Sequence, residues 1–364
     1  MTPVVGGGIH QTLVTAAPGD AVTNSALQIR HLLQTIGPSE IFARNIHHDL
    51  VDVVLPLDSY HSHLPHRARD TLTIVHLSMG DPDWFSWVLD LSGDIAVSYH
   101  NMTPHEYFEG WDPKTATLLH FGRSTLAALG ERSILTMADS AFNASELETL
   151  GFRNSHVAGL LLDPSLLVSV RPDKAVLDAA LTRRGPTLLH VGQMYPHKRA
   201  DFLIASFRRL LSTHGDTTLV LAGNSRLPAY RQAIHDYIGD LGLSDHVVVT
   251  GSISVESLSA HYRTADVMVT ASEHEGFCVP LVEAMAFGVP IVARACAAVP
   301  ETTGGCGVLV PPDASPSQFA FAVGSVLDDL ATADAMRACG HRRVEHFSLD
   351  NSSARLLHAL ATVR

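Results

Sequence analysis

The sequence predicts an α/β protein made of two doubly wound domains. Strand-length apolar runs alternate with helical patterns and glycine turns, which is typical of parallel sheets covered by helices on both faces. A chain of 364 residues suffices for about two domains at roughly 100–200 residues each. Hydrophobic residues make up 46% of the chain, enough for two cores. We expect the first domain over residues 1–167 and the second over 168–346.

The first domain opens with a strand, a turn and a helix. Residues 9–16 are predicted as a strand that ends in the turn Ala17-Pro-Gly-Asp20. Asn24 is a suitable N-cap for a helix that runs to about Ile36, because its short side chain can accept from free backbone N–H groups. Further strands are predicted at residues 40–43, 72–77, 94–99 and 135–140.

The pattern weakens between residues 160 and 184, which we interpret as an inter-domain linker with one short helix. The alternation resumes at Thr187 and continues through the second domain. Its strands are predicted at 187–191, 218–222, 246–250, 265–271 and 291–293, and its helices at 201–211, 230–241, 258–264, 317–330 and 333–346.

Charge and hydropathy exclude several classes of function. The net charge is −12, and residues 1–170 carry 8 Lys/Arg against 18 Asp/Glu. This acidic half argues against nucleic acid as a partner and against docking on an anionic bilayer through basic residues. It is compatible with a cationic or neutral acceptor and equally with simple solubility. No apolar run approaches the roughly 20 residues of an integral membrane segment, and no signal peptide is evident.

The four cysteines show no C-x-x-C spacing and all lie in the C-terminal half. We expect free thiols in a reducing cytoplasm, with the protein either free there or at the periphery of the membrane. They are Cys278, Cys296, Cys306 and Cys339.

The stretch from Ser272 to Ala293 carries the chemistry of the chain. Pro280 suits the first position of a helix, and Gly288 suits its C-terminal end. The preceding loop places backbone N–H groups at a helix N-terminus, where they attract phosphate or sugar oxygens. That loop consists of Gly276, Phe277, Cys278 and Val279.

Two carboxylates flank this predicted anion site. Glu275 lies on the loop, and Glu283 is expected within the first helical turn. Carboxylates accept hydrogen bonds from hydroxyl groups. Phosphate donors beside hydroxyl acceptors indicate a site for a sugar nucleotide. The plainer interpretation is an ordinary βαβ turn whose glutamates only cap a helix and face solvent.

Two other polar segments follow predicted strands. His100 comes at the carboxyl end of a strand, where α/β proteins place ligands. A capped structural histidine is the alternative. Asp81-Pro-Asp83 is similar to a metal-binding D-x-D, but its proline and the preceding glycine favour a plain turn. Asp139 and Ser140 are predicted to cap a helix.

Two glutamates with seven residues between them, a small-residue helix and a Gly-x-Pro exit resemble the signature of retaining glycosyltransferases of family 4. The resemblance implies a GT-B architecture, in which two Rossmann-like domains face each other across a cleft and a last helix, within residues 347–364, returns to the first domain. It also implies transfer without a metal or other cofactor. The donor would be a nucleotide-diphosphate sugar, most often a UDP- or GDP-sugar, and the acceptor a hydroxyl of a saccharide, lipid-linked or small molecule.

The resemblance assigns roles to individual residues. Glu275, Lys198 and His100 are the expected catalytic residues. The family has an arginine where Gln193 stands, so diphosphate binding here lacks one positive charge unless Arg199 or Arg226 replaces it. The remaining expected donor contacts are Glu283 with the ribose, the amides of residues 276–279, and Gly192, Gly19, Asp20 and Ile253.

Two rival functions remain open from the sequence. Gln193 keeps open a non-catalytic subunit that binds a sugar nucleotide and supports a partner enzyme. A sugar-nucleotide epimerase or hydrolase on the same fold is the other alternative.

Overall fold

A computed structural model describes residues 7–64, 70–153 and 155–363 of the chain. The chain divides into two compact units, which we call unit 1 and unit 2. Unit 1 comprises residues 1–162 and 347–364, and unit 2 comprises residues 163–346. The division falls after Leu162, whereas the sequence analysis placed it after residue 167.

In the described part of unit 1, seven parallel strands form one sheet. Its strands are β1 Ile9–Ala16, β2 Ile41–Ile46, β3 Leu55–Pro56, β4 Leu72–Leu77, β5 Asp94–Tyr99, β6 Ser133–Ala138 and β7 Ser155–Val157. Its helices before the division are α1 Ala21–Gln34, α2 Tyr60–His63, α3 Pro82–Leu89, α4 Pro113–Arg132 and α5 Ala141–Thr149. The strand order is β3-β2-β1-β4-β5-β6-β7, so all carboxyl ends lie at one edge.

Helix α1 begins three residues earlier than the predicted cap at Asn24. Asp20 is the N-cap, and its carboxylate accepts from the backbone N–H and the hydroxyl of Thr23 at 2.8 and 2.9 Å. Asn24 therefore lies inside the first turn, and its predicted capping role is wrong. Asp20 satisfies the same free N–H groups directly after the turn, which lets the helix start sooner.

Unit 2 contains a six-stranded parallel sheet. Its strands are β8 Thr187–Val191, β9 Thr218–Ala222, β10 Val247–Gly251, β11 Val267–Thr270, β12 Ile291–Arg294 and β13 Val308–Val310. Its helices are α6 Pro164–Ser169, α7 Lys174–Leu181, α8 Ala200–Leu210, α9 Pro228–Asp240, α10 Val255–Arg263, α11 Val279–Ala286, α12 Val299–Thr303, α13 Pro316–Asp328 and α14 Leu330–Val344. The strand order is β10-β9-β8-β11-β12-β13.

The predicted linker folds as two helices, α6 and α7, rather than as one. Helix α6 belongs to unit 2 because its C-terminal end is bonded to α10. Arg263 Nη2 donates to the carbonyl of Val168 at 2.5 Å, and Ser259 Oγ donates to that of Val170 at 3.3 Å. These bonds explain why the division precedes α6.

The last helix, α15 Leu349–Leu360, packs in unit 1. Leu356 and Leu360 are buried with Ile9 and Leu135, side chains from β1 and β6. Arg355 Nε donates to the carbonyl of Ala158 at 3.2 Å. Within the described ranges, no helix combines the length and apolar character needed to cross a membrane.

The expectation of four free thiols is wrong for two of them. Cys306, in the turn after α12, and Cys339, on α14, form a disulfide with a Cα–Cα distance of 5.3 Å. The two residues are 33 positions apart, so their spacing shows no local pairing motif. Cys278 and Cys296 are free.

Candidate functional site

The carboxyl edge of the unit 2 sheet gathers the loops that follow β8, β9, β10 and β11. These four strands are adjacent and parallel, so their loops emerge at the same edge, where α/β proteins bind ligands. The loops after β8 and β11 are joined by a backbone hydrogen bond from Glu273 N to the carbonyl of His197 at 2.8 Å. This bond places the lysine loop beside the glutamate loop.

Close backbone contact shapes the start of the lysine loop. Gly192 N donates to the carbonyl of Ala222 at 2.9 Å. A Cβ on Gly223 would lie 1.9 Å from the Gly192 carbonyl oxygen, so only glycine fits at position 223. The loop then makes one helical turn to Lys198, and Arg199 takes a left-handed conformation with φ 55°.

Lys198 and Glu275 form an ion pair at the centre of this edge. Lys198 Nζ donates to both carboxylate oxygens of Glu275, at 2.7 and 2.8 Å. The Lys198 side chain is 20% exposed and that of Glu275 is 7% exposed. Burial disfavours the charged form of both side chains, but the attraction between Lys198 and Glu275 outweighs this effect. The pKa of Lys198 is therefore raised and the pKa of Glu275 is lowered. The site thus holds two opposite charges ready in their ionised forms.

The loop after Glu275 is fixed from behind by helix α12 and the turn before it. Ala298 N donates to the Glu275 carbonyl at 3.1 Å, and Thr302 Oγ1 donates to the Phe277 carbonyl at 2.5 Å. Cys278 then takes a left-handed conformation, φ 70°, and is the N-cap of α11. Since the first N–H groups of a helix have no acceptor within the helix, this end can bind an anion.

Glu283 is the fifth residue of α11, one residue further along the helix than predicted. The helix begins at Val279 rather than Pro280, so Glu283 belongs to the second turn. Its carboxylate accepts from the Tyr262 hydroxyl at 2.7 Å. Burial raises the pKa of Glu283, and the Tyr262 hydrogen bond opposes that shift. The sequence analysis missed Tyr262 because it lies on another helix, 21 residues away.

Arg199 and Arg226 differ in how well either could supply the positive charge that Gln193 lacks. Arg199 is already occupied, since its guanidinium pairs with Asp201 at 3.0 Å and with Glu273. Arg226 follows β9, is exposed, and makes no ion pair with any residue in the described ranges. Gln193 is exposed at the same edge. Of the two candidates, Arg226 therefore has the free charge.

Four further predicted residues follow strands of the two sheets. Ile253, in unit 2, follows β10 and is half-buried. Gly19 and Asp20, in unit 1, end the turn after β1. Gly19 is exposed with φ 75°, and Asp20 is engaged in capping α1. His100 follows β5.

His100 is enclosed by protein groups. Its Nδ1 lies 3.0 and 2.9 Å from the two oxygens of Asp139, and its Nε2 lies 2.7 Å from Nδ1 of His76. The His100 side chain is 2% exposed. Ser140 caps α5 as predicted, but the prediction that Asp139 caps it too is wrong, because the Asp139 carboxylate binds His100. The sequence offered one indication of this cluster: His76 lies one residue before the end of β4, and Asp139 directly follows β6.

The D-x-D segment forms a helix start. Asp81 is the N-cap of α3 and accepts from Trp84 N at 2.9 Å, so the predicted plain turn is wrong: Pro82 and Asp83 belong to the first turn of a helix. Arg44 pairs with both carboxylates, at 3.3 Å to Asp81 and 2.6 Å to Asp83.

Two parallel sheets flanked by helices, with this order of elements, define a GT-B α/β protein. Sucrose-phosphate synthase from Thermosynechococcus elongatus has the same fold, with a TM-score of 0.73 and 19% identity over 96% of each chain. The Anabaena protein HepE, in complex with UDP-glucose, superimposes with a TM-score of 0.77 and 16% identity over 98% of this chain and 99% of its own. These comparisons confirm the predicted fold class.

Residues 185–329 match the family described as glycosyl transferases group 1. The predicted resemblance to this family of glycosyltransferases is confirmed over that region.

Curated relatives match over parts of their length. One is the GDP-mannose-dependent alpha-(1-6)-phosphatidylinositol monomannoside mannosyltransferase of Mycolicibacterium smegmatis, 32% identical over 175 residues, which are 46% of this chain and 44% of that protein. Another is the D-inositol 3-phosphate glycosyltransferase of Kineococcus radiotolerans, 29% identical over 247 residues, 60% of this chain and 56% of that protein. The chain spans about half the length of the curated relatives it matches.

Proposed function

We propose that this protein is a retaining glycosyltransferase. It moves a hexose from a nucleotide-diphosphate sugar, a UDP- or GDP-sugar, to a hydroxyl of a saccharide, lipid-linked or small-molecule acceptor. It requires no metal. The reaction takes place in the cytoplasm, and at the membrane surface if the acceptor is lipid-linked.

The observation that supports this proposal most directly is the Lys198–Glu275 pair. A cation and a carboxylate meet beside a helix N-terminus, at the edge where this fold binds ligands. A sugar diphosphate offers a matching partner to each group, phosphate oxygens for Lys198 and sugar hydroxyls for Glu275. Its binding exchanges one ion pair for two sets of hydrogen bonds.

In this proposal the protein acts mainly by electrostatics and positioning. Lys198 and the amides at the start of α11 stabilise the charge that builds on the leaving diphosphate. Glu275 orients the sugar, and Glu283, held by Tyr262, accepts from the ribose. The leaving phosphate takes the acceptor proton on the same face, so no protein nucleophile is needed. Direct contact of the His100 ring with the sugar requires one of its two hydrogen bonds to open.

The expected donor is identified by thermal unfolding of the purified protein with UDP-, GDP-, ADP- and dTDP-sugars in the presence of EDTA. One donor present at 100 times its Kd should stabilise unit 2 by about 2.7 kcal/mol. The Glu275→Gln variant should lose the part of this shift that depends on the sugar, while Asp178→Asn, an exposed surface change, should keep it. Stabilisation by every nucleoside diphosphate alone, with no gain from any sugar, would contradict the assignment of Glu275.

Turnover separates the proposal from its alternatives. The non-catalytic alternative is supported by Gln193, because a neutral amide stands where the family has an arginine. Of the two arginines that could supply the missing charge, Arg226 makes no ion pair within the described ranges. That alternative predicts stabilisation by a nucleotide sugar without transfer to any acceptor. An epimerase or hydrolase would yield an isomerised donor or a free monosaccharide when acceptor is omitted.

A further inference from the structure

A line of four buried polar side chains crosses the unit 1 sheet. Gln11 lies on β1, His76 on β4, His100 after β5 and Asp139 after β6, on four neighbouring strands. Gln11 Oε1 is 2.9 Å from His76 Nε2, and His76 Nδ1 is 2.7 Å from His100 Nε2. His100 Nδ1 faces both oxygens of Asp139. The contacts are continuous from β1 to β6.

Gln11 determines which ring nitrogen of His76 carries the hydrogen. Its Nε2 donates to the carbonyl of Ala26 at 3.0 Å, a group that can only accept. Gln11 therefore presents Oε1, an acceptor, to His76. For this contact to be a hydrogen bond, Nε2 of His76 must carry the hydrogen.

The second step concerns the charge of His76. Its side chain is fully enclosed, and this burial, with the nearby His100, holds the pKa of His76 well below its usual value. His76 is therefore neutral, and with its hydrogen on Nε2 its Nδ1 has only a lone pair. His100 Nε2 must then donate to it. His100 Nδ1 must also donate, because it faces a carboxylate.

We propose that His76 and Asp139 hold His100 as an imidazolium with a hydrogen on each ring nitrogen, and that they thereby position the loop after β5. The part of this inference that concerns catalysis rests on the proposed glycosyltransferase function. In that function, His76 and Asp139 act through His100 as positioning residues. The imidazolium and the Asp139 carboxylate compensate each other's charge in a site where either alone would be costly.

Loss of one proton breaks the line. If His100 keeps the hydrogen that Asp139 accepts, its Nε2 and the Nδ1 of His76 face each other with two lone pairs 2.7 Å apart. If the hydrogen of His76 is on Nδ1 instead, the bare Nε2 of His76 faces the acceptor Oε1 of Gln11. The residue after His100, Asn101, has φ 76° and donates to Asn143 at 2.9 Å and to Glu146 at 2.7 Å.

Among the described residues of unit 1, the groups around His100 come from neighbouring strands and helices. His76 approaches from β4 and Asp139 from the end of β6, while Glu146 and Arg123 meet the loop one residue further on. The contacts of His100 with His76 and Asp139 therefore hold the start of this loop.

The proton count is tested by ¹⁵N–¹H NMR of the histidine side chains in the full chain at pH 7. His100→Gln identifies the His100 signals by their loss. His190 is an internal reference, because Nδ1 donates to the Val269 carbonyl at 3.0 Å and burial lowers the pKa of His190 to about 4, which leaves Nε2 bare. We expect His100 to show two protonated nitrogens and His190 one.

Asp139→Asn gives the matched change. The asparagine amide can donate to Nδ1, so His100 should become neutral with its hydrogen on Nε2, while the fold is kept. Asp112→Asn, which changes a helix cap in the same unit, should leave the His100 signals as they are. A neutral His100 in the wild-type protein would overturn the proposal, including the case in which the hydrogen lies on Asp139.

The positioning role needs a kinetic measurement as well. We expect Asp139→Asn to lower kcat by about tenfold at pH 7 and to leave the donor KM within twofold. An unchanged kcat would overturn that role. If the wild-type protein transfers no sugar, the proposed function fails, and the NMR result still decides the proton count.

Discussion

Each unit places a hydrogen-bonded pair of titratable side chains at the carboxyl edge of its parallel sheet, but the two pairs differ in exposure. In unit 1, the His100 and Asp139 side chains are 2% and 4% exposed. In unit 2, the Lys198 side chain is 20% exposed against 7% for Glu275. The first pair is sealed by its neighbours, whereas the second reaches solvent through its lysine.

This difference in exposure indicates that the unit 1 pair holds a loop in place, whereas the unit 2 pair can bind a ligand. In the enclosed pair, a ligand can contact His100 only after one of its two hydrogen bonds opens, so we expect this pair mainly to hold the position of its loop. An accessible pair can exchange its partners for phosphate and hydroxyl groups at little net cost, since the ligand restores the hydrogen bonds. We expect changes in unit 2 to act on turnover and changes in unit 1 to act first on stability.

The largest effect is expected from Lys198→Ala. This variant removes the charge that pairs with the Glu275 carboxylate and that stabilises the leaving diphosphate in the proposed function, so kcat should fall by about 10²–10³-fold. Far-ultraviolet circular dichroism should show a retained fold. Lys174→Ala, which breaks a surface pair with Asp178 at 82% and 58% exposure, is the control and should have almost no effect. Near-normal turnover of Lys198→Ala would remove Lys198 from the mechanism.

Asp139→Ala should act on stability. Alanine leaves His100 buried without its carboxylate, which should lower the free energy of unfolding by about 3 kcal/mol. Urea unfolding of this variant, compared with Ser145→Ala on the exposed face of α5, measures the difference. A loss below about 0.5 kcal/mol would show that the pair is not sealed and would erase the contrast between the units.

A smaller effect is expected from His190, the buried histidine of unit 2. Its pKa is lowered to about 4 by burial, so the unfolded chain takes up a proton near pH 6.5 and the folded chain only near pH 4. Between these values the free energy of unfolding falls as the pH falls, by about 2 kcal/mol at pH 5 from this residue. His190→Gln should remove that part of the slope.

The matched control for this pH dependence is His358→Gln on the exposed face of α15, which should keep the wild-type slope. An identical slope in His190→Gln and in the wild-type protein would mean that His190 is charged in the folded state.

Much of the fold could be predicted from local patterns. Apolar strands and glycine or proline ends are properties of neighbouring residues, so β8, β9 and β11 were found close to their observed limits. The start of α1 was misplaced because Asp20 and Asn24 are both good caps, and local chemistry alone does not rank them. In the predicted linker, α6 and α7 begin after the N-caps Asp163 and Asp173, and only one of the two helices was predicted.

The candidate site could be predicted in part. Lys198 and Glu275 stand out because each lies in a loop with a characteristic pattern, yet their direct pairing joins residues 77 positions apart. Tyr262, which supports Glu283, lies outside any motif.

Residue spacing and turn chemistry along the chain were thus sufficient for the alternation of strands and helices and for the glutamate loop at the start of α11. The pairing of Cys306 with Cys339, the line from Gln11 to Asp139 and the capture of Arg199 by Glu273 required the folded chain. Periodicity and capping depend on neighbours a few residues apart. Hydrogen bonds, ion pairs and disulfides instead depend on distances between strands and helices that only packing brings together.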